Sequence, residues 1–372
     1  MNLWKSEPTP SLLLDINQMK RNIERMVWSA NKNGVNLRPH IKTHKSVEIA
    51  RLEIEAGAYG ITVATLSEAE LFVKAGFKDI LLAFPLVGKQ KVDRLAALCQ
   101  ESKVIASVDD EYQAFLLQES AEAKGIEIEV WMKVNSGLNR CGVESGKEAL
   151  TLAQGIRQYG SLKLTGIYTH AGHAYGFTEK TERSRIAQEE AKAVLESVRL
   201  CEDEDISIPN RSVGSTPTYE EAGKFEGITE VRPGNAVFFD GVQEGLGVCE
   251  VTECALSVSA SVVSIKEDRI IFDAGSKSLT SEKGAHGNES VKGFGTIVEP
   301  VELQGFSLTR LSEEHGVLDG NGSPLPSIKF GETIRIVPNH ACTAVNLYDT
   351  YTVIQDERVV DRWKVDARGC NV

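Results

Sequence analysis

From about residue 35 to residue 240 the sequence alternates short β-branched runs with longer segments in helical register, and past about residue 245 that rhythm stops. Strand-like runs fall near 35–41, 59–64, 79–84, 103–108, 127–134, 162–168, 207–213 and 229–238. Between them lie amphipathic stretches such as Ser67 to Ala75 and Asp110 to Lys124. Gly57, Gly76, Gly125 and Gly160 stand where a residue able to take positive φ ends a helix. Eight βα units in about 205 residues predict an α/β protein built on a (β/α)8 TIM barrel. A doubly wound sheet is the alternative, but no G-x-G-x-x-G follows the first strand. After residue 245 the pattern turns to short alternating runs, Ala255 to Ile265, Arg269 to Phe272, Thr333 to Val337 and Leu347 to Ile354. We therefore expect a barrel over residues 16–245, followed by a C-terminal β-rich domain over 246–372. The run Thr9 to Asp15 can add a strand to either part, and we assign residues 1–15 to the second.

Composition bounds the partners. The 372 residues carry 41 Lys plus Arg against 53 Asp plus Glu, a net charge of −12. An acidic surface repels phosphate backbones, so no nucleic acid partner is expected. The longest apolar run, Ile80 to Val87, is broken by Pro85. It falls far short of the ~18 apolar residues a membrane helix needs, so no membrane association is expected. The seven cysteines (99, 141, 201, 249, 254, 342 and 370) are scattered and form no C-x-x-C pair, which fits a reducing compartment. The N-terminal residues lack a basic region followed by an apolar one, and the cytoplasm is the expected location.

In a barrel of this kind the functional groups stand at the C-terminal ends of the strands. After the first strand comes Arg38-Pro39-His40-Ile41-Lys42-Thr43-His44-Lys45, and after the fifth Asn135-Ser136-Gly137-Leu138-Asn139-Arg140-Cys141-Gly142. The sixth is followed by Tyr168-Thr169-His170-Ala171-Gly172-His173-Ala174-Tyr175, the seventh by Gly214-Ser215-Thr216-Pro217-Thr218 and the eighth by Arg232-Pro233-Gly234-Asn235. Basic, aromatic and small hydroxyl residues thus converge on one rim of an acidic protein. The Gly-Ser-Thr and Gly-Asn loops offer backbone N–H groups and hydroxyls where barrels bind phosphate. Either alone reads as a plain turn; two on adjacent strands favour a phosphate site. Lys42 closes a mostly apolar strand, so its amine is expected in the barrel mouth, where desolvation favours the neutral nucleophile. A lone lysine would read as a solvated one, but an amine facing a phosphate cradle is what pyridoxal phosphate requires.

These segments, together with Pro338-Asn339-His340-Ala341-Cys342, resemble the D-serine dehydratase and D-threonine aldolase family, pyridoxal-phosphate enzymes of the alanine racemase fold type. The resemblance runs in order over essentially the whole chain. It implies Lys42 as the Schiff-base lysine, Arg140 as partner of the cofactor's phenolic oxygen, and Ser215, Thr216, Gly234 and Asn235 as holders of the phosphate. It also implies Tyr168 near the pyridine nitrogen, with Arg232 as a competitor for that place and Tyr175 close to the cofactor. Tyr168 and His170 alternate along one strand end and are expected to face the same side. His173 reads as a packed or capping histidine and Cys141 as a small core residue. His340 and Cys342 stand two apart in a stretch expected to be extended, so both side chains would share one face, and imidazole plus thiolate suits zinc. In isolation such a pair reads as buried non-ligands; within the family pattern it reads as a metal site for Zn2+ or another divalent ion. In the aldolase branch Asp takes the second position, so Cys342 points to the dehydratase branch. Ala236 departs from the family, where Tyr is common. Glu313-Glu314-His315-Gly316 is read as structural, and Asp273 to Lys277 and Arg335 are left as possible carboxylate contacts.

The expected activity is a zinc-assisted β-elimination from D-serine or a related D-β-hydroxy amino acid, giving a 2-keto acid and ammonia. Lys42 would act as general base and the metal as Lewis acid on the departing hydroxyl. A metal-dependent D-threonine or D-3-hydroxyaspartate aldolase is the main alternative, ahead of a racemase and of a non-catalytic pyridoxal-phosphate carrier. The resemblance further implies a homodimer.

Overall fold

The structure is a computed structural model that describes residues 3–284, 290–320, 322 and 324–372. Strand β1 (Ser11–Asp15) leads into helix α1 (Ile16–Asn33). The barrel then runs through β2 (Asn36–Leu37), α2 (Val47–Ala56), β3 (Ile61–Val63), α3 (Leu66–Lys74), β4 (Asp79–Leu82), α4 (Lys89–Glu101), β5 (Lys103–Val108), α5 (Glu111–Lys124) and β6 (Ile128–Asn135). A short β7 (Val143–Glu144) pairs with β6, and α6 (Lys147–Ile156), β8 (Leu162–Tyr168), α7 (Lys180–Glu202), β9 (Asn210–Val213), α8 (Tyr219–Ala222) and β10 (Glu230–Val231) follow. The strand order is β2-β10-β9-β8-β6-β5-β4-β3, parallel throughout, and a parallel bridge from His40 to Thr62 joins β2 to β3 and closes the ring. The predicted (β/α)8 barrel is borne out. Its strands are mostly buried, as parallel strands covered by helices must be.

Two strands are shorter than the sequence suggested. The run at 35–41 yields only β2 and the run at 229–238 only β10, because Pro39 and Pro233 have no N–H with which to continue the ladder. Helix ends follow the sequence more closely. Asp15, Thr65 and Asp110 cap α1, α3 and α5 through their side chains, and Gly57, Gly76 and Gly125 take φ of 122°, 96° and 62°. Gly160 is outside the left-handed region.

The remainder is a second, antiparallel-rich sheet. Helix α9 (Gly241–Gly245) leads to β11 (Leu256–Ile265), β12 (Arg269–Phe272), α10 (Ser276–Leu279), β13 (Thr296–Glu299), β14 (Arg310–Leu311), β15 (Gly316–Asp319), β16 (Thr333–Val337), α11 (Ala341–Val345), β17 (Thr350–Gln355) and β18 (Arg358–Lys364). The order is β14-β15-β12-β11-β1-β17-β18, with β16 pairing β11 and β13. Strand β1 thus lies inside this sheet, antiparallel to β11 and parallel to β17. The last residues return to the barrel, where Ala367 N–H donates to Lys45 O at 2.9 Å and Ser67 N–H donates to Val372 O at 2.8 Å. One apolar core, from Leu12 to Ala367, runs through both parts. Among the described residues no helix is long and apolar enough to cross a membrane.

The segments around Asp273 and His315 hold each other. Ser276 N–H donates to Ser312 O at 2.9 Å, Lys277 pairs with Glu314 at 2.7 Å, and Asp273 accepts from Ser261 N–H and the Thr9 hydroxyl. A Cβ on Gly275 would lie 2.3 Å from Ser312 O and 2.5 Å from Glu313 O. Backbone cannot give way as a side chain can, so Gly275→Ala is expected to destabilise the protein by about 1–3 kcal/mol, read as a lower midpoint in urea unfolding.

Candidate active site

At the C-terminal mouth of the barrel lies a cavity of about 270 Å³, near the lower end for small-molecule sites. The loop after β2 contributes His40, Lys42 and Thr43, the loop after β8 contributes His170 and Tyr175, and the loop after β9 contributes Ser215 and Thr216. Arg232, Gly234 and Asn235 follow β10, and His340 and Cys342 arrive from the second sheet. Of the residues singled out by sequence, Tyr168 and Arg140 are not on this wall.

Lys42 does not close a strand as expected. It occupies a 3-10 turn, Ile41–Thr43, that begins after Pro39 has ended the ladder, and the turn is clamped by the Tyr351 hydroxyl donating to His44 O. Its neighbours are spoken for: Lys45 pairs with Glu68 at 2.8 Å, and buried His44 meets Glu53 at 3.3 Å. Lys42 has no carboxylate within ion-pair distance among the described residues. Burial pushes its ammonium below the ordinary lysine range; Cys342 opposes this, while Arg140 and Arg232 add to it. His40 and His170 share this surrounding, and burial together with Lys42 and Arg232 keeps both imidazoles well below their ordinary value. His40 was not among the residues picked from sequence, although it stands two residues before Lys42.

The phosphate-type loops meet as expected. Among the described residues the N–H groups of Thr216, Gly234 and Asn235 donate to no protein group, so three donors face the cavity region without partners. A Cβ on Gly234 would lie 3.0 Å from His40 O and 3.2 Å from Thr43 Oγ1, so glycine lets the two loops close up. Burial pushes the Tyr175 hydroxyl well above its ordinary range, with nearby Thr216 and Gln243 opposing the shift. Behind the cradle, buried Glu190 of α7 accepts from Gly214 N–H at 2.8 Å, Ala171 N–H at 3.2 Å and the Thr218 hydroxyl at 3.0 Å. Nothing in the sequence distinguishes Glu190 from the other acids of α7. These unpartnered donors fit the phosphate of pyridoxal phosphate.

Below them the barrel interior is polar. Arg232 Nε donates to Ser212 Oγ at 2.7 Å and its guanidinium also reaches Thr169 O, while the Ser212 hydroxyl donates to Glu230 at 2.7 Å. Glu230 pairs in turn with Arg38 at 2.8 Å, and Arg38 also pairs with Asp79. Arg38 therefore points into the barrel, away from the rim on which its sequence position suggested it stands. The Tyr168 ring lies 4.8 Å beneath the Arg232 guanidinium, and its hydroxyl donates to Ser107 at 2.8 Å. Only Arg232 of the pair lines the cavity. Arg140 is solvent-exposed on the loop after β6, near enough to depress Lys42 and His170. Arg335 bonds Ser257 at 2.8 Å and Glu299 at 3.3 Å, and Asp273 is held in the second sheet, so neither serves the cavity.

His340 and Cys342 are not on an extended stretch. His340 is extended, but it is the N-cap of α11, and Cys342 lies in that helix. The two side chains nevertheless lie close enough to shift each other's proton affinity, and Cys342 Sγ lies 3.2 Å from Thr43 Oγ1. Burial alone would raise the thiol, but His340, then Lys42 and Thr43, draw it below its ordinary value. His340 Nδ1 lies 2.8 Å from Glu282 Oε1, which leaves Nε2 as the free ligand atom, the usual way a carboxylate orients a metal-binding histidine. Among the described residues no set of three or more His, Cys, Asp or Glu side chains surrounds one point, so the pair could supply at most two ligands to a metal. The donor set fits zinc.

A lysine at a barrel mouth, a phosphate cradle facing it and a β-rich second half together define a pyridoxal-phosphate enzyme of the alanine racemase fold. The family model described as alanine racemase, N-terminal domain, matches residues 14–241, and that described as putative serine dehydratase domain matches residues 255–354. The D-threo-3-hydroxyaspartate dehydratase of Delftia sp. (strain HT23) is 34% identical over 366 residues, covering 96% of each chain. The D-threonine aldolase of Arthrobacter sp is 32% identical, covering 97% of this chain and 93% of the relative. A D-serine dehydratase from Dictyostelium discoideum is 29% identical over 96% of both. The solved Delftia dehydratase superposes with a TM-score of 0.92 at 31% identity, over 98% of this chain and 99% of that one. Two further structures of that dehydratase carry alanine in place of a histidine or of a cysteine two positions later, the cysteine variant being a metal-free form. The chain belongs to this family of alanine racemase-fold enzymes with a serine dehydratase domain, and it is a pyridoxal-phosphate-dependent lyase.

The buried histidines set a pH dependence. Their folded-state pKa lies below the unfolded value of about 6.5, so above that pH they cost nothing. As pH falls below it the unfolded chain takes up protons that the folded chain refuses. Cofactor-free protein is expected to lose up to about 1.4 kcal/mol per pH unit for each such histidine below about pH 6.5. Melting temperatures from pH 7.5 to 5 should fall more steeply for the native protein than for a His40→Gln, His170→Gln double variant.

Proposed function

We propose that this lyase is a zinc-dependent dehydratase of D-β-hydroxy amino acids such as D-serine or D-3-hydroxyaspartate, releasing a 2-keto acid and ammonia. One observation carries the reading: an unpaired lysine, a ring of unpartnered N–H donors and a His–Cys pair all open on a single cavity. The spacing of His340 and Cys342 equals that of the two residues replaced in the Delftia dehydratase variants, one of which is metal-free. When bound, pyridoxal phosphate supplies an electron sink at the α-carbon, and a divalent ion supplies Lewis acidity at the β-oxygen.

The chain's own residues would act as follows. Thr216, Gly234 and Asn235, with the Ser215 hydroxyl, orient the phosphate, and Arg232 over Tyr168 forms the floor under the ring. Arg140, on the exposed loop after β6, would pair with the cofactor's phenolic oxygen. Lys42 Nζ would take the α-proton, a task suited to an amine whose proton affinity burial has lowered. His340 and Cys342 would hold the metal, which would supply Lewis acidity to a substrate β-hydroxyl, and Thr43 would steady the thiol from the barrel side. His40 and His170, kept neutral, can accept or relay a proton at the same mouth. The Arthrobacter relative named D-threonine aldolase is 32% identical, so retro-aldol cleavage is the second reading. Cytoplasmic location and assembly as a homodimer complete the proposal.

Lys42→Ala is expected to abolish the absorption band of bound pyridoxal phosphate above 400 nm and to reduce turnover by at least about a thousandfold. Incubating zinc-loaded enzyme with a panel of D-β-hydroxy amino acids should yield 2-keto acid and ammonia, while glycine plus an aldehyde would establish the aldolase instead. Removing the metal with a chelator should suppress elimination while leaving the absorption band in place. Cys342→Asp is expected to lower zinc affinity measurably, and unchanged metal content would count against the assignment.

A further inference from the structure

The cofactor cradle and the metal pair belong to different domains, yet one buried carboxylate touches both. Asp240 is 0% exposed and has no cationic side chain within ion-pair distance among the described residues. Its Oδ2 accepts from the Asn235 side-chain amide and, at 2.8 Å, from the N–H of Ala341, the residue between His340 and Cys342. Its Oδ1 accepts from Gln243 N–H at 3.0 Å and so caps α9, the segment that carries the chain from the barrel toward the second sheet. Backbone bonds reinforce the join, with Gly241 N–H donating to Pro338 O at 3.0 Å and Val242 N–H donating to Asn339 O at 2.9 Å. A Cβ on Gly241 would lie 3.3 Å from Asn339 Cα, so the turn from β16 into α11 that carries His340 sits directly on the segment that follows the cradle. A single oxygen shared by two donors fixes their separation: whatever orders Asn235 also orders Ala341, and the reverse.

We infer that Asp240 is a positioning residue that couples cofactor binding to metal binding, so that phosphate held at Asn235 tightens the metal site at His340 and Cys342. The inference rests on the cofactor and metal assignments made above. Coupling between equilibrium binding sites is reciprocal, so metal must tighten the cofactor by the same factor. A second contact also bridges the two halves, Thr43 Oγ1 to Cys342 Sγ at 3.2 Å, and it provides the competing route.

The test measures zinc affinity, by competition with a chromogenic chelator, in cofactor-free protein and in protein loaded with pyridoxal phosphate. Pyridoxal phosphate affinity is measured in parallel with and without zinc. Native protein is expected to bind each ligand about tenfold more tightly when the other is present, within the usual range of coupling. Asp240→Asn places an amide N–H against one of the donors and should reduce that ratio to below about twofold, while both ligands still bind. Asn235→Ala, which cuts the link at its other end, should do the same, and it serves if Asp240→Asn does not fold. Thr43→Val should keep the ratio while weakening zinc in both forms. A ratio of one in native protein, a tenfold ratio preserved in Asp240→Asn or Asn235→Ala, or its loss in Thr43→Val would each overturn the inference. Failure of native protein to bind zinc or pyridoxal phosphate at all would instead bring down the functional reading beneath it.

Discussion

The barrel is organised around charge that it keeps inside. Arg38, Glu230, Ser212 and Arg232 form a continuous polar column, joined by contacts of 2.8, 2.7 and 2.7 Å. Taking such groups out of water is expensive, and an ion pair broken in such a place costs about 3–5 kcal/mol. The column is therefore sensitive to the register of β2, β9 and β10, since each group must meet its partner at hydrogen-bond distance. It also leaves a surplus at the top. Arg38 is matched by Glu230 and Asp79, but Arg232 touches only neutral oxygens. A positive floor under the cavity results, inside a protein whose net charge is −12. The attraction for an anionic ligand is thus a property of the barrel's packing before any loop residue is considered.

Above that floor the site is assembled from pieces that have little reason to meet on their own. The turn carrying Lys42 begins where Pro39 ends the ladder of β2 and is clamped by Tyr351 from β17. The cradle loops are drawn together by Glu190, and the His–Cys pair enters from a helix of the second sheet. Each half supplies groups the other lacks: a buried amine and unpartnered N–H donors from the barrel, an imidazole and a thiol from the second sheet. A family that performs both eliminations and carbon–carbon cleavages is consistent with such a division, because small changes in the sheet's contribution alter what happens at the β-carbon without disturbing the cradle.

Much of this was legible in the residues. Parallel strands are apolar runs bounded by glycine and polar turns, so their number and order survive in the sequence, as do the loops at their C-terminal ends. Lys42, Ser215, Thr216, Gly234 and Asn235 stand on those loops, His340 and Cys342 stand out through the family resemblance, and all seven line one cavity. What failed did so for identifiable reasons. The strand expected to end at Lys42 stops at Leu37, since a proline two residues on cannot pair, and the amine reaches the mouth from a turn. His340 and Cys342 looked extended because two-residue spacing cannot tell a strand from the first turn of a helix. Arg38 was assigned to the rim when its side chain points down the barrel, a direction that local sequence does not encode. Glu190 and Asp240 escaped notice altogether. A buried carboxylate is recognised by its distant donors, Gly214 and Ala171 for one and Asn235 and Ala341 for the other, and those pairings exist only once the chain has folded.

Strand β1 lies between β11 and β17, so a segment that precedes the whole barrel is flanked by two that follow it. Its partners begin some 240 residues downstream, with Ser11 opposite Ser259 and Leu13 opposite Thr352. On a ribosome the barrel can therefore close while the apolar strand ahead of it waits without a sheet, a state that invites association with other chains. The same threading means that a single cut near residue 245 does not yield two separable parts: one fragment keeps β1 and the other keeps the gap it should fill. For anyone dissecting this enzyme, the natural division is a permuted chain in which β1 travels with the second sheet.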